Sequence, residues 1–410
     1  MMAKSTLVKA AVGRRLAAVG LLAPLGLGLA SAACFGSSSS PPPPPPCGTC
    51  DEDASDAAAA DASSDGGGNV DATVGSGDAA HAPDSPADGP VEGSSDAGAD
   101  TGRGSFDAAA CVDSGTAFCM LVLASNMENT SSVHVDSTSV YWVEEATGAV
   151  IRLALGGGAQ STIAVGGGGT ANLAIDSTSA YFDNYLTGVV ASAPLDGDGG
   201  TPATVATGQS TPEAIAVDST GVYWVDQNGS ALMTAPLGGV PEGGSPTVVA
   251  SGPISPIALA LGPASVYFAT TDGALRAAPK TGGDGGAGAV LAAGQNVVAL
   301  TIDANHVYWT NGGAAGAVLM APLSGVPEGG APTTLAGPEN TPGSIAVDGT
   351  NVYFTGGGNP TGYVAMAPIA GGATTTLATG QTSPSGIAVD PQGSVYWANF
   401  AFGRVLEIVR

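Results

Sequence analysis

An all-β fold, a ring of seven four-stranded blades, is predicted by three features of the sequence. A variant of one phrase, a short apolar strand usually closed by Asp, a small polar turn, then Val-Tyr-Trp or Val-Tyr-Phe, is written seven times between Val133 and Trp397. The tyrosines of these copies, Tyr141, Tyr181, Tyr223, Tyr267, Tyr308, Tyr353 and Tyr396, stand 40, 42, 44, 41, 45 and 43 residues apart. A period of about forty built from short strands is that of a propeller blade. Helical periodicity is absent from the same region, where turn residues divide the chain into short strand-like runs.

The chain begins with a different kind of segment. Residues 1–33 hold Lys4, Lys9, Arg14 and Arg15, no acid, and an apolar run from Leu16 to Ala33 interrupted by Pro24. A basic start, an apolar centre and a small-residue end fit an export signal better than a membrane-spanning helix. Two cleavage readings compete at its end. Ala30-Ser31-Ala32 suits an ordinary signal peptidase, whereas Ser31-Ala32-Ala33-Cys34 resembles a bacterial lipobox with Ser where Leu is usual. Lipid attachment at Cys34 is favoured, because no globular domain begins after it. The residues flanking Arg14-Arg15 do not match a twin-arginine signal.

From residue 34 to 110 the chain is mostly Ser, Pro, Ala, Asp and Gly, with fourteen acids against the single base Arg103. Such a composition buries too little apolar surface to offset the entropy of ordering it, so a solvated tether is expected. Pro41 to Pro46 hold its first part extended at roughly 3 Å per residue. Removing the signal takes four of the ten bases and leaves thirty-five acids, a net charge of −29. That balance excludes nucleic acid and anionic membrane surfaces as partners, since both need basic patches. The expected location is the cell envelope, at the outer membrane or cell surface, with membrane contact through the lipid alone.

With Cys34 assigned to lipid, four cysteines remain, and an exported protein is expected to oxidise them. Of three connectivities, local pairing of Cys47 with Cys50 and of Cys111 with Cys119 is preferred. A zinc or redox role for Cys47-Gly48-Thr49-Cys50 lacks a second Cys/His pair and a strand-helix context.

Residues 111–410 then form the predicted propeller. In the third copy the strand-like runs are Ile215 to Val217, Val222 to Val225, Ala231 to Ala235 and Thr247 to Ala250. Pro236 ends the third of these, as Pro194, Pro279, Pro322 and Pro368 do elsewhere, because proline donates no ladder hydrogen bond. The seventh copy stops at Arg410 without a fourth strand. Leu123-Ala124-Ser125-Asn126, ahead of the first copy, matches the fourth-strand sequence Leu377-Ala378-Thr379-Gly380, and both precede the closing Asp by the same interval. The N-terminal segment is therefore expected to supply the outer strand of the last blade and to cover its edge.

The run from Leu300 to Thr310, an apolar strand closed by Asp303 and followed by Val307-Tyr308-Trp309-Thr310, resembles the YWTD repeat of low-density lipoprotein receptor propellers and the related NHL repeats. The exported, low-complexity-tethered propellers of bacteria are similar still. The resemblance covers about residues 118–410 and implies the fold. For activity it implies only a range, binding scaffolds, lactonases and lyases. YWTD propellers typically have six blades, and Asn311 stands here where the Asp of YWTD belongs.

Candidate chemistry divides by recurrence. Asp136, Asp176, Asp218, Asp303, Asp348 and Asp390 occur in six of seven copies, which marks them as turn caps rather than as an active-site acid. The aromatic pairs occur in every copy and are expected in the core between sheets. No Ser/His/Asp set or nucleophile elbow is present, and His134 and His306 do not converge in the repeat register. The loops that join strand two to strand three, and strand four to the next blade, do vary. They carry Glu144, Asp183, Asn184, Asp226, Asn228, Asp272, Asn311 and Asn399 on one face. Oxygen ligands gathered there could bind Ca²⁺ or Mg²⁺, as acid and amide side chains do in the lactonase-like propellers that the chain resembles. The simpler expectation is a solvated acidic rim around a non-catalytic binding or scaffold face for a protein or glycan, the alternative being a divalent-metal-dependent lactonase or an enzyme like streptogramin lyase.

Overall fold

The computed structural model describes residues 112–409 except 117, 128, 253, 283–285, 328–329 and 359. The expected signal at 1–33, the tether at 34–110 and Cys34, Cys47, Cys50 and Cys111 lie outside the described residues.

Seven antiparallel sheets form the blades of the ring. In the first, Thr130–Val135, Ser139–Glu144, Ala149–Ala154 and Ser161–Val165 run as a meander from the central channel to the rim. The third blade follows the sequence reading closely, with strands Pro212–Asp218, Gly221–Asp226, Ala231–Ala235 and Thr247–Ser251. Blade seven is assembled from both ends of the described chain. Beyond Pro384–Val389, Val395–Asn399 and Arg404–Ile408 comes Cys119–Ala124, with Met120 opposite Ile408 and Val122 opposite Leu406. The two-residue strand Val112–Asp113 adds a fifth outer strand that the repeat did not foretell. Between these two strands the chain also touches blade six: Thr116 Oγ1 donates to the Leu377 carbonyl at 2.6 Å, and the Thr379 N–H donates to that of Ser114 at 2.8 Å.

Seven apolar clusters lie between neighbouring blades, and each contains the Tyr of one blade and the Trp or Phe of the next. Tyr141 meets Phe182, Tyr308 meets Phe354, and Tyr396 meets Trp142 across the closure. Adjacent residues of a strand point to opposite faces. One Tyr-Trp or Tyr-Phe dipeptide therefore serves two interfaces, and closing the ring leaves no blade without a neighbour.

The turn acids explain why the tyrosine recurs. Asp348 Oδ1 accepts the N–H groups of Thr350 and Asn351, both at 2.8 Å, while Oδ2 accepts the Tyr353 hydroxyl at 2.6 Å. Asp136, Asp176, Asp303 and Asp390 bind Tyr141, Tyr181, Tyr308 and Tyr396 in the same way. In blade three Lys280 of the next blade takes Oδ2 of Asp218, and the Tyr223 hydroxyl shares a hydrogen bond with Thr220 instead. Blade four has Gly262, where a Cβ would lie 2.7 Å from the Tyr267 ring. These carboxylates cap turns and anchor tyrosines whose rings fill the interfaces.

Candidate functional site

The face opposite these turns carries the variable loops, and six of the eight predicted residues stand there in two positions, with Asn228 and Asp272 further along their loops. Counting along the second strand of each blade, the residue after the aromatic pair is Asp183, Thr310 or Thr355 in blades two, five and six. Each meets a backbone N–H near the start of the inner strand, beside a register irregularity in blades two and five. Asp183 Oδ1 accepts the Asn172 N–H at 3.1 Å and Oδ2 accepts its Nδ2 at 2.9 Å. Thr310 Oγ1 accepts the Ala299 N–H and Thr355 Oγ1 accepts that of Ser344. A buried backbone N–H needs a partner. Asp183 supplies one, and both its oxygens are engaged with blade two.

The next position holds Glu144, Asn184, Asp226, Asn311 and Asn399, which turn toward the preceding blade or cap their own loop. Asn184 Oδ1 accepts the N–H groups of Leu186 and Thr187, and its Nδ2 donates to the Gly166 carbonyl at 2.9 Å. Asp226 Oδ1 accepts from the N–H of Ser210 at 2.8 Å and of Gly229 at 3.3 Å. Burial pushes the Asp226 carboxyl above the ordinary carboxylate value, against these two hydrogen bonds. Glu144 accepts from the Thr147 hydroxyl. Asn228 donates to Thr211. Asp272 is exposed and accepts from the Thr270 hydroxyl, which holds its carboxyl below the usual range with help from Arg276, an ion-pair partner at 2.8 Å.

The remaining two amides belong to a linkage that the sequence reading missed. Gln381 Oε1 accepts Trp397 Nε1 and Asn399 Nδ2, both at 3.0 Å, across the boundary of blades six and seven. Gln295 does the same for Trp309 and Asn311, and Gln209 accepts Trp224 Nε1 at 3.1 Å. A signal was present: Gly208-Gln209, Gly294-Gln295 and Gly380-Gln381 recur every 86 residues, one per pair of blades. A buried indole N–H without a partner is costly. The Oδ1 atoms of Asn311 and Asn399 are buried and accept no hydrogen bond.

The eight predicted residues thus share a face, and their partners there are backbone groups, hydroxyls, Asn172, Arg276 and two glutamines. Among the described residues no group of three or more His, Cys, Asp or Glu side chains is placed to hold a metal ion. Neither described histidine belongs to this face. His306 opens the strand His306–Asn311 beside Asp303 at the turn end, and His134 lines the central channel, where burial lowers its pKa to about 4 against a backbone hydrogen bond with Leu173. Cys119 opens the strand Cys119–Ala124 opposite Asp113.

No protein-family model and no curated protein sequence matches the chain. Solved structures do resemble it. A catalytically inactive histidine-to-alanine variant of virginiamycin B lyase from Staphylococcus aureus, solved with quinupristin, superposes with a TM-score of 0.57 at 14% identity, over 72% of this chain and 99% of that one. The WD40 β-propeller domain of Doa1 gives 0.58 at 13% identity, over 71% and 97%. YCF48 from Cyanidioschyzon merolae gives 0.53 at 12% identity, over 71% and 98%. The likeness is one of fold. A propeller that occurs in both a lyase and a WD40 domain does not choose between catalysis and binding.

Proposed function

We propose that this chain is an exported bacterial lipoprotein, anchored through Cys34 and held off the envelope by the acidic segment 34–110, whose propeller is a non-catalytic binding module for a protein or glycan. One observation carries the binding reading. The loop face differs from blade to blade, yet its acids and amides are fixed by hydrogen bonds to local backbone or to the neighbouring blade. A surface that is irregular and already ordered loses little entropy on engaging a partner. Catalysis by a metal or an acid-base pair needs side chains that converge, whereas these are engaged with their own blade or with the neighbouring one. The Cys111–Cys119 disulfide belongs to the same exported reading, since exported proteins oxidise their thiols.

Two measurements test the proposal. Cys34→Ser is expected to move the protein from the membrane to the soluble fraction, because multiple acylation anchors stably and its loss leaves no second apolar span. A native chain that is already soluble and begins at Ala33 would overturn the anchor. The lyase reading, favoured by the fold shared with virginiamycin B lyase, is tested by incubating the purified chain with quinupristin, with and without Mg²⁺. Unchanged quinupristin is expected; its consumption replaces the non-catalytic reading.

A further inference from the structure

A channel of about 710 Å³ runs between the seven inner strands and is lined by residues of every blade. Its lining contains no Asp, Glu, Lys or Arg, although the chain carries a net charge of −25. Each inner strand starts at the loop face and ends at the Asp turns, so residues of equal depth can be compared around the ring. Nearest the loop face stand Ser131, Ser132, Asn172, Ser344 and Ser385, all from the contiguous blades six, seven, one and two. Below them, one residue beyond Val133, Ile215, Leu259, Leu300, Ile345 and Ile387, which also line the channel, is a waist of Ala216, Ala260, Ala346 and Ala388, interrupted by His134 and Thr301. Deepest is an aliphatic ring that includes Val135, Val217, Leu261, Ile302, Val347 and Val389. From Ser344 to Val347 the strand advances about 10 Å, at ~3.3 Å per residue.

The collar is polar and uncharged. Ser131 Oγ already donates to the Ala171 carbonyl at 2.9 Å, Ser385 Oγ to that of Thr130 at 3.1 Å, and Asn172 Nδ2 to Asp183. A hydroxyl has one proton and two lone pairs. Ser131 and Ser385 therefore offer acceptors to the channel, while the second Nδ2 proton of Asn172 and the Ser344 hydroxyl can donate, a mixture that suits a hydroxylated head. Carboxylate, sulfate and phosphate heads only accept. An anion would also leave water for a wall that holds no positive charge and that opens at its turn end on Asp136, Asp348 and Asp390. His134 does not alter this, because burial keeps its imidazole neutral at physiological pH.

We propose that the central channel binds a neutral amphiphile, its hydroxylated head at the serine collar and a single alkyl chain threaded past the alanine waist to the aliphatic ring. Transfer of the chain from water to that ring supplies the driving force, and the volume lies within the range of ordinary ligand sites. The site is separate from the loop-face surface and stands whether or not that surface binds a partner.

The test is calorimetric titration of the full chain with n-octyl β-D-glucoside below its micellar concentration. Saturable binding of one molecule per chain is expected, with n-octyl sulfate at least tenfold weaker. Replacing Ala216 and Ala346 together by Leu is expected to weaken octyl glucoside at least tenfold by filling the waist, while Asp226→Asn on the loop face leaves it unchanged. Removing the hydroxyls of Ser344 and Thr301 with Ser344→Ala and Thr301→Val perturbs packing little and is expected to weaken binding several-fold. That pair decides the matter even where the leucine variant does not fold. Absence of saturable binding, equal or tighter binding of n-octyl sulfate, or an affinity indifferent to the channel variants overturns the proposal.

Discussion

Deleting residues 112–124 removes the outer strands of blade seven and opens the ring where its two ends meet. The strand Cys119–Ala124 buries Met120 and Leu121, each with less than a tenth of its surface exposed. Burial of a side chain of this size contributes about 1.5–3 kcal/mol, so the two together supply about 3–6 kcal/mol. The deletion also leaves Arg404–Ile408 as an unpaired edge and removes the bonds from Thr116 to Leu377 and from Thr379 to Ser114. Domains are commonly stable by about 5–15 kcal/mol. The loss is thus a large part of the whole. Urea unfolding followed by tryptophan fluorescence suits the measurement, because Trp142 and Trp397 lie in the two interfaces that flank blade seven. A lower midpoint is expected, together with dimers or larger species on size exclusion, since an exposed edge pairs with another chain. A synthetic peptide of residues 112–126 added in trans is expected to restore both the midpoint and the monomer. A truncated chain that stays monomeric with an unchanged midpoint would refute the closure argument.

Three further outcomes are expected. Gln381→Ala leaves Trp397 Nε1 and Asn399 Nδ2 without their acceptor and is expected to cost about 1–3 kcal/mol in urea unfolding; a variant as stable as the parent would show that the linkage contributes nothing. For Asp136, Asp176, Asp303 and Asp348, burial raises the carboxyl value, but hydrogen bonds from the turn and the tyrosine outweigh it, so the folded pKa lies below the unfolded one. Their stabilisation is present above the unfolded value of about 3.9 and is lost as pH falls through the lower folded value. His134, with its pKa lowered to about 4, adds a loss between roughly pH 6.5 and 4, because the unfolded state binds a proton that the folded state does not. Thermal unfolding should show Tm falling through both windows, with His134→Gln flattening the upper one; a Tm that stays level or rises from pH 6.5 to 3 would contradict both assignments. Saturating Ca²⁺ or Mg²⁺ is expected to leave Tm unmoved, whereas a bound ion at about a hundred times its dissociation constant would add roughly 2.7 kcal/mol to the folded state. A rise lost in Asp226→Asn would establish a loop-face metal site.

The sequence by itself determined the architecture, because the features that build it repeat. Seven spaced copies of Tyr with Trp or Phe define seven interfaces, and strand periodicity alone sends the two rings of each pair to opposite faces. The match of Leu123-Ala124 with Leu377-Ala378 was enough to foretell that the N-terminal strand closes the ring, and the recurrence of Asp was enough to mark it as a cap. What the tertiary structure alone decided concerns groups whose partners are distant along the chain or unique to one blade. Asp183 and Asn184 read as two adjacent rim ligands. They point to opposite faces of one strand, the first to the irregular start of its inner strand and the second to its own loop. Gln381 acquires its partner only when the fold sets it against Trp397 of the next blade, sixteen residues on. The hydroxyl collar, alanine waist and aliphatic ring of the channel are invisible along any one strand, where they read as Ser-Ile-Ala-Val. Depth in the channel acquires chemical meaning only when seven strands stand side by side, since no single blade encloses space.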